Sequence, residues 1–237
     1  MADPGKAIVF TSPPWKPYIY QDENGAVQGV YIDILKAIFE EGLQLPVAYV
    51  DYPWKRAQKA VKDGQADLII TIATPDRLQY AVKSELPVLE MYLHVYTYRD
   101  HPRLAEISTI RSGDDILKMR LKPVTNLGNV WHKNNIDHLG VETHYVPSEE
   151  NAFLFLAAKR ADITIEPLIA GNYLIKQLDL AERIIPTTAR FGPLKFYLLL
   201  SKKSPFLQRM KEIDQVIDAL HQSGRMRYIY DRYQQIR

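Results

Sequence analysis

The densest chemistry-bearing stretch is Thr74-Pro75-Asp76-Arg77, which follows the apolar, β-branched run Leu68 to Ile72. The run reads as a buried strand, and Thr-Pro-Asp is a helix-start signal with an acid in the first turn. Free backbone N–H groups at a helix start, the hydroxyls of Thr71 and Thr74 and the Arg77 fork together suit an anion such as a carboxylate. The plainer alternative uses the same residues: Thr74 caps the helix and Arg77 pairs on the surface. A second element is aromatic. In Thr11-Ser12-Pro13-Pro14-Trp15-Lys16-Pro17-Tyr18 three prolines hold the chain extended. Trp15 and Tyr18 then become fixed rings for a ligand, or one of them packs into the core. Trp54 stands at another helix start, Pro53-Trp54-Lys55-Arg56-Ala57.

Catalytic chemistry is not legible. No G-x-S-x-G, G-x-G-x-x-G, G-x-x-x-x-G-K or H-E-x-x-H pattern occurs. The histidines, at 94, 101, 132, 138, 144 and 221, lack metal-ligand spacing on a helix face. Asp114-Asp115 and Glu149-Glu150 sit in first helical turns, where the helix dipole accounts for them. The sequence assigns no catalytic residue, metal ligand or cofactor.

The elements that must carry these residues alternate. A strand ending at Phe10, a helix with Val30, Ile34, Leu35, Ile38 and Phe39 on one face, a strand from Val47 to Tyr52, the Trp54 helix and the Asp67 strand make βαβ units. Between the first strand and helix, Asp22-Glu23-Asn24-Gly25 predicts a hairpin turn with positive φ at both Asn24 and Gly25. Ligands of open α/β sheets bind at the carboxyl ends of the strands. The Trp15, Trp54 and Thr74 segments all follow strands. A second, smaller α/β set runs from His101 and includes Pro123 to Asn129, a helix after Ser148 with the stripe Phe153, Leu154, Ala157 and Ala158, and a strand ending at Glu166-Pro167. Arg190 to Pro193 reads as a linker before the apolar strand Lys195 to Ser201 and a long helix after Ser204-Pro205. The first lobe is therefore expected to be discontinuous.

With 237 residues, 46% hydrophobic and 24% charged, the chain has an ordinary globular composition. A net charge of +2, with Lys and Arg spread along the chain, gives no basis for nucleic-acid binding. There is no cysteine, so disulfides and thiolate metal sites are excluded. No apolar run reaches the roughly 18 residues that a membrane span needs. Met1 to Gly5 has neither a basic n-region nor an apolar h-region, which fits a cytoplasmic chain or a mature exported one with a start Met.

The order of motifs resembles the family-3 extracellular solute-binding proteins, the polar-amino-acid receptors of ABC importers. The resemblance spans nearly the whole chain. It rests on the Pro-Pro-Trp-x-Pro-Tyr loop, Gly29 to Ile34, Gly64-x-x-Asp67, Thr74-Pro75-Asp76-Arg77, Ser84-Glu85-x-Pro87, Val124 with Gly128, Lys159-Arg160-Ala161-Asp162, and the Ser201 to Gly224 ending. It implies a type II periplasmic-binding-protein-like fold: an α/β protein of two lobes, each a mixed sheet flanked by helices, joined by two hinge strands. Lobe 1 would be 5–97 with 190–237, and lobe 2 would be 98–189, with the ligand closing the lobes. It further implies ligand roles for Trp15 or Tyr18 by stacking, for Arg77 with Thr74 on a carboxylate, for Gly128 and Asn129 on the same carboxylate, and for Glu166 on an ammonium. Pro53-Trp54-x-Arg56-Ala57 resembles a subgroup with less uniform ligands. Two features depart from the family pattern. Thr71-Ile72-Ala73 replaces a small Gly-x-Ser/Thr segment in a shortened loop, and Glu166 falls a position early, with Pro167 where the acid is common.

The resemblance implies a noncatalytic, monomeric, periplasmic receptor for a small polar ligand, its partner an ABC permease or a membrane sensor. It implies neither nucleic-acid binding nor membrane insertion. The alternative is an enzyme on the same scaffold, a dehydratase that uses Glu166 as general acid.

Overall fold

The computed structural model describes residues 7–234. The expected start of the first strand at Lys6, the boundary at residue 5 and residues 235–237 lie outside them. In chain order the elements are β1 (Ile8–Ser12), β2 (Tyr20–Gln21), β3 (Val27–Gln28), α1 (Val30–Leu35, continued by a wider π turn over Lys36–Gly42), β4 (Val47–Asp51), α2 (Trp54–Asp63), β5 (Leu68–Thr71), α3 (Pro75–Leu78), β6 (Ala81–Lys83) and β7 (Leu89–Tyr98). There follow α4 (Leu104–Ile107), α5 (Gly113–Lys118), β8 (Val124–Asn126), α6 (Val130–Asn135), β9 (His144–Val146), α7 (Glu149–Ala157), β10 (Thr164–Pro167), α8 (Leu168–Gln177), β11 (Ile184–Ser201), α9 (Met210–Gln222) and α10 (Arg225–Gln234). The fold is mixed α/β, with sheets flanked by helices.

The chain divides into two compact units. Unit 1 takes in the chain up to Glu90 and again from Leu194, and unit 2 is Met91–Pro193. The crossings fall inside β7 and β11, where the sequence reading put them at 97/98 and 189/190.

In unit 1, β1 pairs in parallel with β4 and β5, and β11 runs antiparallel to β5, Tyr197 opposite Thr71. Helices α1 and α2 lie in the crossover connections that parallel strands need. All five residues expected on the inward face of the first helix are buried. Asp67 ties the sheet together: its Oδ2 accepts the Val9 N–H at 2.8 Å and its Oδ1 accepts the Ser204 hydroxyl at 2.7 Å.

In unit 2, β10 pairs antiparallel with β7, Thr164 opposite Tyr96 and Glu166 opposite His94. Strands β8 and β9 pair in parallel. The core packs Tyr96, Phe153, Leu156 and Leu174, with the Tyr96 and Phe153 rings edge-on at 5.3 Å. Gly171 lets Tyr96 in, since a Cβ there would stand 2.3 Å from the ring.

Three expectations are corrected. The hairpin turn has positive φ at Gly25 only, because Asp22 Oδ1 accepts the Asn24 and Ala26 N–H groups and so builds a longer loop. The buried face of α7 is Ala152, Phe153, Leu156 and Ala157, while Leu154, at 46%, and Ala158 are exposed. Seven successive apolar residues, Ala152 to Ala158, left its phase open, and the Tyr96–Phe153 contact sets it. Arg190 to Pro193 lies within β11 rather than in a linker. Ring contacts hold this stretch extended: Arg190 lies over Tyr92 at 4.1 Å and Phe191 meets Trp131 at 5.4 Å.

Candidate functional site

The nominated residues fall into two sets, one in each unit. In unit 1 the proline-rich loop docks on the start of α1. The Val30 and Tyr31 N–H groups donate to the Pro17 and Tyr18 carbonyls, at 3.3 and 2.9 Å. These carbonyls occupy the space that a Cβ on residue 29 would need, so Gly29, at φ 124°, is required. Trp15 and Ile19 exchange two backbone hydrogen bonds, which fixes the loop tip. The Trp15 ring stacks on Tyr18 at 4.2 Å. Tyr18 is 0% exposed, so it is the core ring of the pair and backs Trp15, which is half-buried.

Trp54, Gln58 and Arg77 form the second part of this set. Trp54 and Gln58 stand four residues apart on α2 and so share a face. The Arg77 guanidinium lies over the Trp54 ring at 5.2 Å. Its Nε donates to Gln58 Oε1 at 3.0 Å and its Nη1 to the Ile72 carbonyl at 2.8 Å. Thr74 Oγ1 accepts the Arg77 backbone N–H and caps α3. Thus Thr74 caps as the plainer alternative has it, but Arg77 makes no ion pair with a carboxylate among the described residues. Burial lowers the guanidinium's pKa, with Tyr80 and Asp76 working the other way. A half-buried cation held by neutral dipoles and a ring, with Nη2 unused by the described residues, is arranged to receive an anion. Thr71 is buried at the end of β5.

In unit 2, Gly128 has φ 88° at an exposed turn. Asn129 caps the six-residue α6: its Oδ1 accepts the His132 N–H at 3.0 Å and its Nδ2 donates to Thr125 Oγ1 at 2.9 Å. Both its amide groups are therefore engaged within the unit. His132 is buried behind this turn, its Nε2 on Thr143 Oγ1 at 3.0 Å, and the Thr143 hydroxyl and Tyr145 phenol both donate to Asp137. Burial pushes the imidazole down to about 4, against the pull of Asp137.

Glu166 is 4% exposed on β10, with Oε1 buried and without a hydrogen-bond partner. Burial, and then the neighbouring Glu149, push its pKa well above the usual carboxylate range. Beside it on β7, His94 Nδ1 donates to the Thr187 carbonyl at 3.3 Å, and burial lowers its pKa, helped by Arg190.

Sequence reasoning missed Gln58, Glu149 and the Arg190–Tyr92 stack. Gln58 was findable from its four-residue spacing to Trp54. Arg190 and Tyr92 meet across strands and left no local signal.

A profile of the bacterial extracellular solute-binding proteins, family 3, matches residues 7–236. The chain belongs to this family. A search of curated proteins returns no match. Among solved structures, this solute-binding chain is similar to a putative binding component of an ABC transporter from Wolinella succinogenes complexed with lysine, at 15% identity and TM-score 0.75, covering 96% of this chain and 95% of that one. It is similar to a histidine kinase sensor domain with similarity to periplasmic binding proteins, at 18% identity and TM-score 0.71, with coverage of 96% and 95%. It is also similar to the ancestral amino acid-binding protein AncCDT-1, a precursor of cyclohexadienyl dehydratase, at 19% identity and TM-score 0.70, with coverage of 97% and 95%. At these identities the likeness is one of fold. Among the described residues, no helix is long and apolar enough to cross a membrane.

Proposed function

We propose that the protein is a noncatalytic receptor that captures a small polar solute bearing a carboxylate, an amino acid or a relative of one. The observation that carries this reading is Arg77: a half-buried guanidinium seated on Trp54, oriented by Gln58 and the Ile72 carbonyl, with no carboxylate of its own. Trp15 supplies a ring held rigidly by Tyr18, and Tyr18 itself serves as the support. In unit 2 the Gly128–Asn129 turn and Glu166 are the candidate ligand groups. Family membership supports a periplasmic or extracellular location, and the lysine complex and the sensor domain support a permease or a membrane sensor as partner. The receptor acts as a monomer.

A thermal-shift panel of amino acids, amines and small carboxylates tests this reading, because a ligand that binds only the native state raises the melting temperature. At least one carboxylate is expected to stabilise the wild type and not Arg77→Ala. Equal stabilisation of both proteins would refute the role given to Arg77.

One observation favours a second reading. Glu166 is a buried carboxyl with a raised pKa, as a general acid requires. In that reading the protein dehydrates a prephenate-like or arogenate-like substrate. Turnover lost in Glu166→Gln would support it, and no turnover on either substrate would exclude it.

A further inference from the structure

Gln58 is a neutral residue in surroundings that favour an acid. On α2, residues three and four apart are neighbours, so position 58 lies beside Lys55 and Lys62. A glutamate four residues before a lysine is the favoured order for a helical ion pair. Lys59 pairs with Asp63, whereas Lys55 and Lys62 have no ion-pair partner among the described residues. A third cation approaches from the loop after β5, where Arg77 Nε stands 3.0 Å from Gln58 Oε1. A glutamate at this position, an oxygen in place of the amide nitrogen, would gain all of these partners. A residue that forgoes such stabilisation marks a place where function sets the choice.

The geometry shows what the amide does instead. Arg77 Nε can only donate, so the Gln58 atom that meets it is the amide oxygen. This closes the edge of the guanidinium that carries Nε. Nη1 donates to the Ile72 carbonyl at 2.8 Å, and the Trp54 indole lies against the guanidinium at 5.2 Å. Nη2 is left as the donor without a partner among the described residues. Asp76, the acid in the first turn of α3, is exposed and makes no ion pair with Arg77. The fork is thus held by two acceptors and a ring while its charge is not cancelled, as a carboxylate site requires.

We propose that Gln58 decides what Arg77 can bind: its amide oxygen fixes the fork with Nη2 leading, and its lack of charge reserves the cation for the carboxylate of a solute. The inference rests on the solute-binding reading above and adds to it a positioning residue outside the Thr74–Arg77 segment. A glutamate at 58 would keep Arg77 in place and neutralise it, closing the site from within. A methionine, of similar length and without an acceptor, would leave the charge and free the fork. The two variants therefore separate the charge of the site from its orientation.

Two measurements test it. Nitrogen-15 NMR of the ligand-free protein should show a slowly exchanging arginine Nε–H that Arg77→Lys removes. It should persist in Gln58→Glu and exchange rapidly in Gln58→Met. Rapid exchange in the wild type overturns the anchoring of Arg77. Calorimetry with lysine, arginine, glutamine and succinate should show a solute whose affinity falls about tenfold or more in Gln58→Glu. The melting temperature of that variant should be unchanged or raised. Equal affinity of Gln58→Glu and the wild type overturns the part given to charge while leaving solute binding intact. A lowered melting temperature does the same, since the loss would then come from damaged packing. Unchanged affinity in Gln58→Met overturns the part given to orientation. A wild type that binds none of these solutes takes the role of Gln58 down with the solute-binding reading, even where the Nε–H exchanges slowly.

Discussion

In unit 1, Asp67 follows the left-handed Gly64 by three residues and accepts the Val9 N–H at the start of the neighbouring strand. In unit 2, Asp162 follows the left-handed Lys159 by three residues and accepts the Lys122 N–H at 2.7 Å in the corresponding way. The two units thus brace their sheets with the same device. Their candidate ligand groups differ in charge treatment. The Arg77 guanidinium, charged at any ordinary pH, is seated on two acceptors and an indole face. At Glu166 and His132 burial moves the pKa toward the neutral form, with Glu149 adding to the shift at Glu166 and Asp137 opposing it at His132. The comparison teaches that burial acts on all three groups, and that it moves the carboxyl and the imidazole toward neutrality while an arginine stays a cation.

The sharpest way to break the comparison is to remove the retained charge. Arg77→Ala should weaken carboxylate binding by roughly 30-fold or more, since truncating one side of a desolvated charge pair costs about 2–5 kcal/mol. Calorimetry reads this loss, and an unchanged affinity would put the anion site elsewhere.

Unit 2 should answer to pH instead. The His132 pKa of about 4 lies below the ordinary histidine value, so between these two values the unfolded chain binds the extra proton. Stability is therefore complete above pH ~6.5 and falls toward pH 4, by up to about 3 kcal/mol from this group. Urea titrations across that range should show the slope, and His132→Gln should flatten it.

Glu166 should give the opposite sign. Its folded pKa is raised, so its contribution is present at low pH and is lost as pH rises through that value. Glu166→Gln should match the wild type in mildly acid buffer and exceed it at alkaline pH. A wild type that gains relative to the variant with rising pH would contradict the assignment.

The smallest effect is expected at Thr74. Its cap on α3 is a long hydrogen bond, 3.4 Å, on a four-residue helix. Thr74→Ala should cost about 0.5 kcal/mol, at the low end for a cap. If instead it removed ligand binding altogether, Thr74 would rank beside Arg77 as a direct contact.

What the sequence made legible were the features written in local spacing. The βαβ order of unit 1 followed from the inward stripe of α1 and the apolar β5, and the α3 start from Thr74-Pro75. The fate of individual rings did not follow, because burial is decided by distant partners. Tyr18 is a core residue because Trp15 and the start of α1 close over it. Arg77 meets Gln58 rather than a surface acid because α2 and the loop after β5 converge. The α7 phase needed Tyr96, and the raised pKa of Glu166 comes first from burial and then from Glu149, neither of which local spacing shows.

The Asp67–Ser204 hydrogen bond joins residues 137 positions apart. Beside it, the Ser201 N–H reaches the Asp67 carbonyl at 2.7 Å and the Ser201 hydroxyl reaches the Val61 carbonyl at 2.6 Å. This places a timing constraint on synthesis. Among the described residues unit 2 is one continuous segment, Met91–Pro193, made before Ser201 is translated. Unit 1 begins first and must wait, with β1, β4 and β5 made but their antiparallel neighbour β11 still to come. The later-encoded unit is thus the first able to complete its fold on the ribosome, and the exposed edge of β5 is the surface that needs protection in the interval.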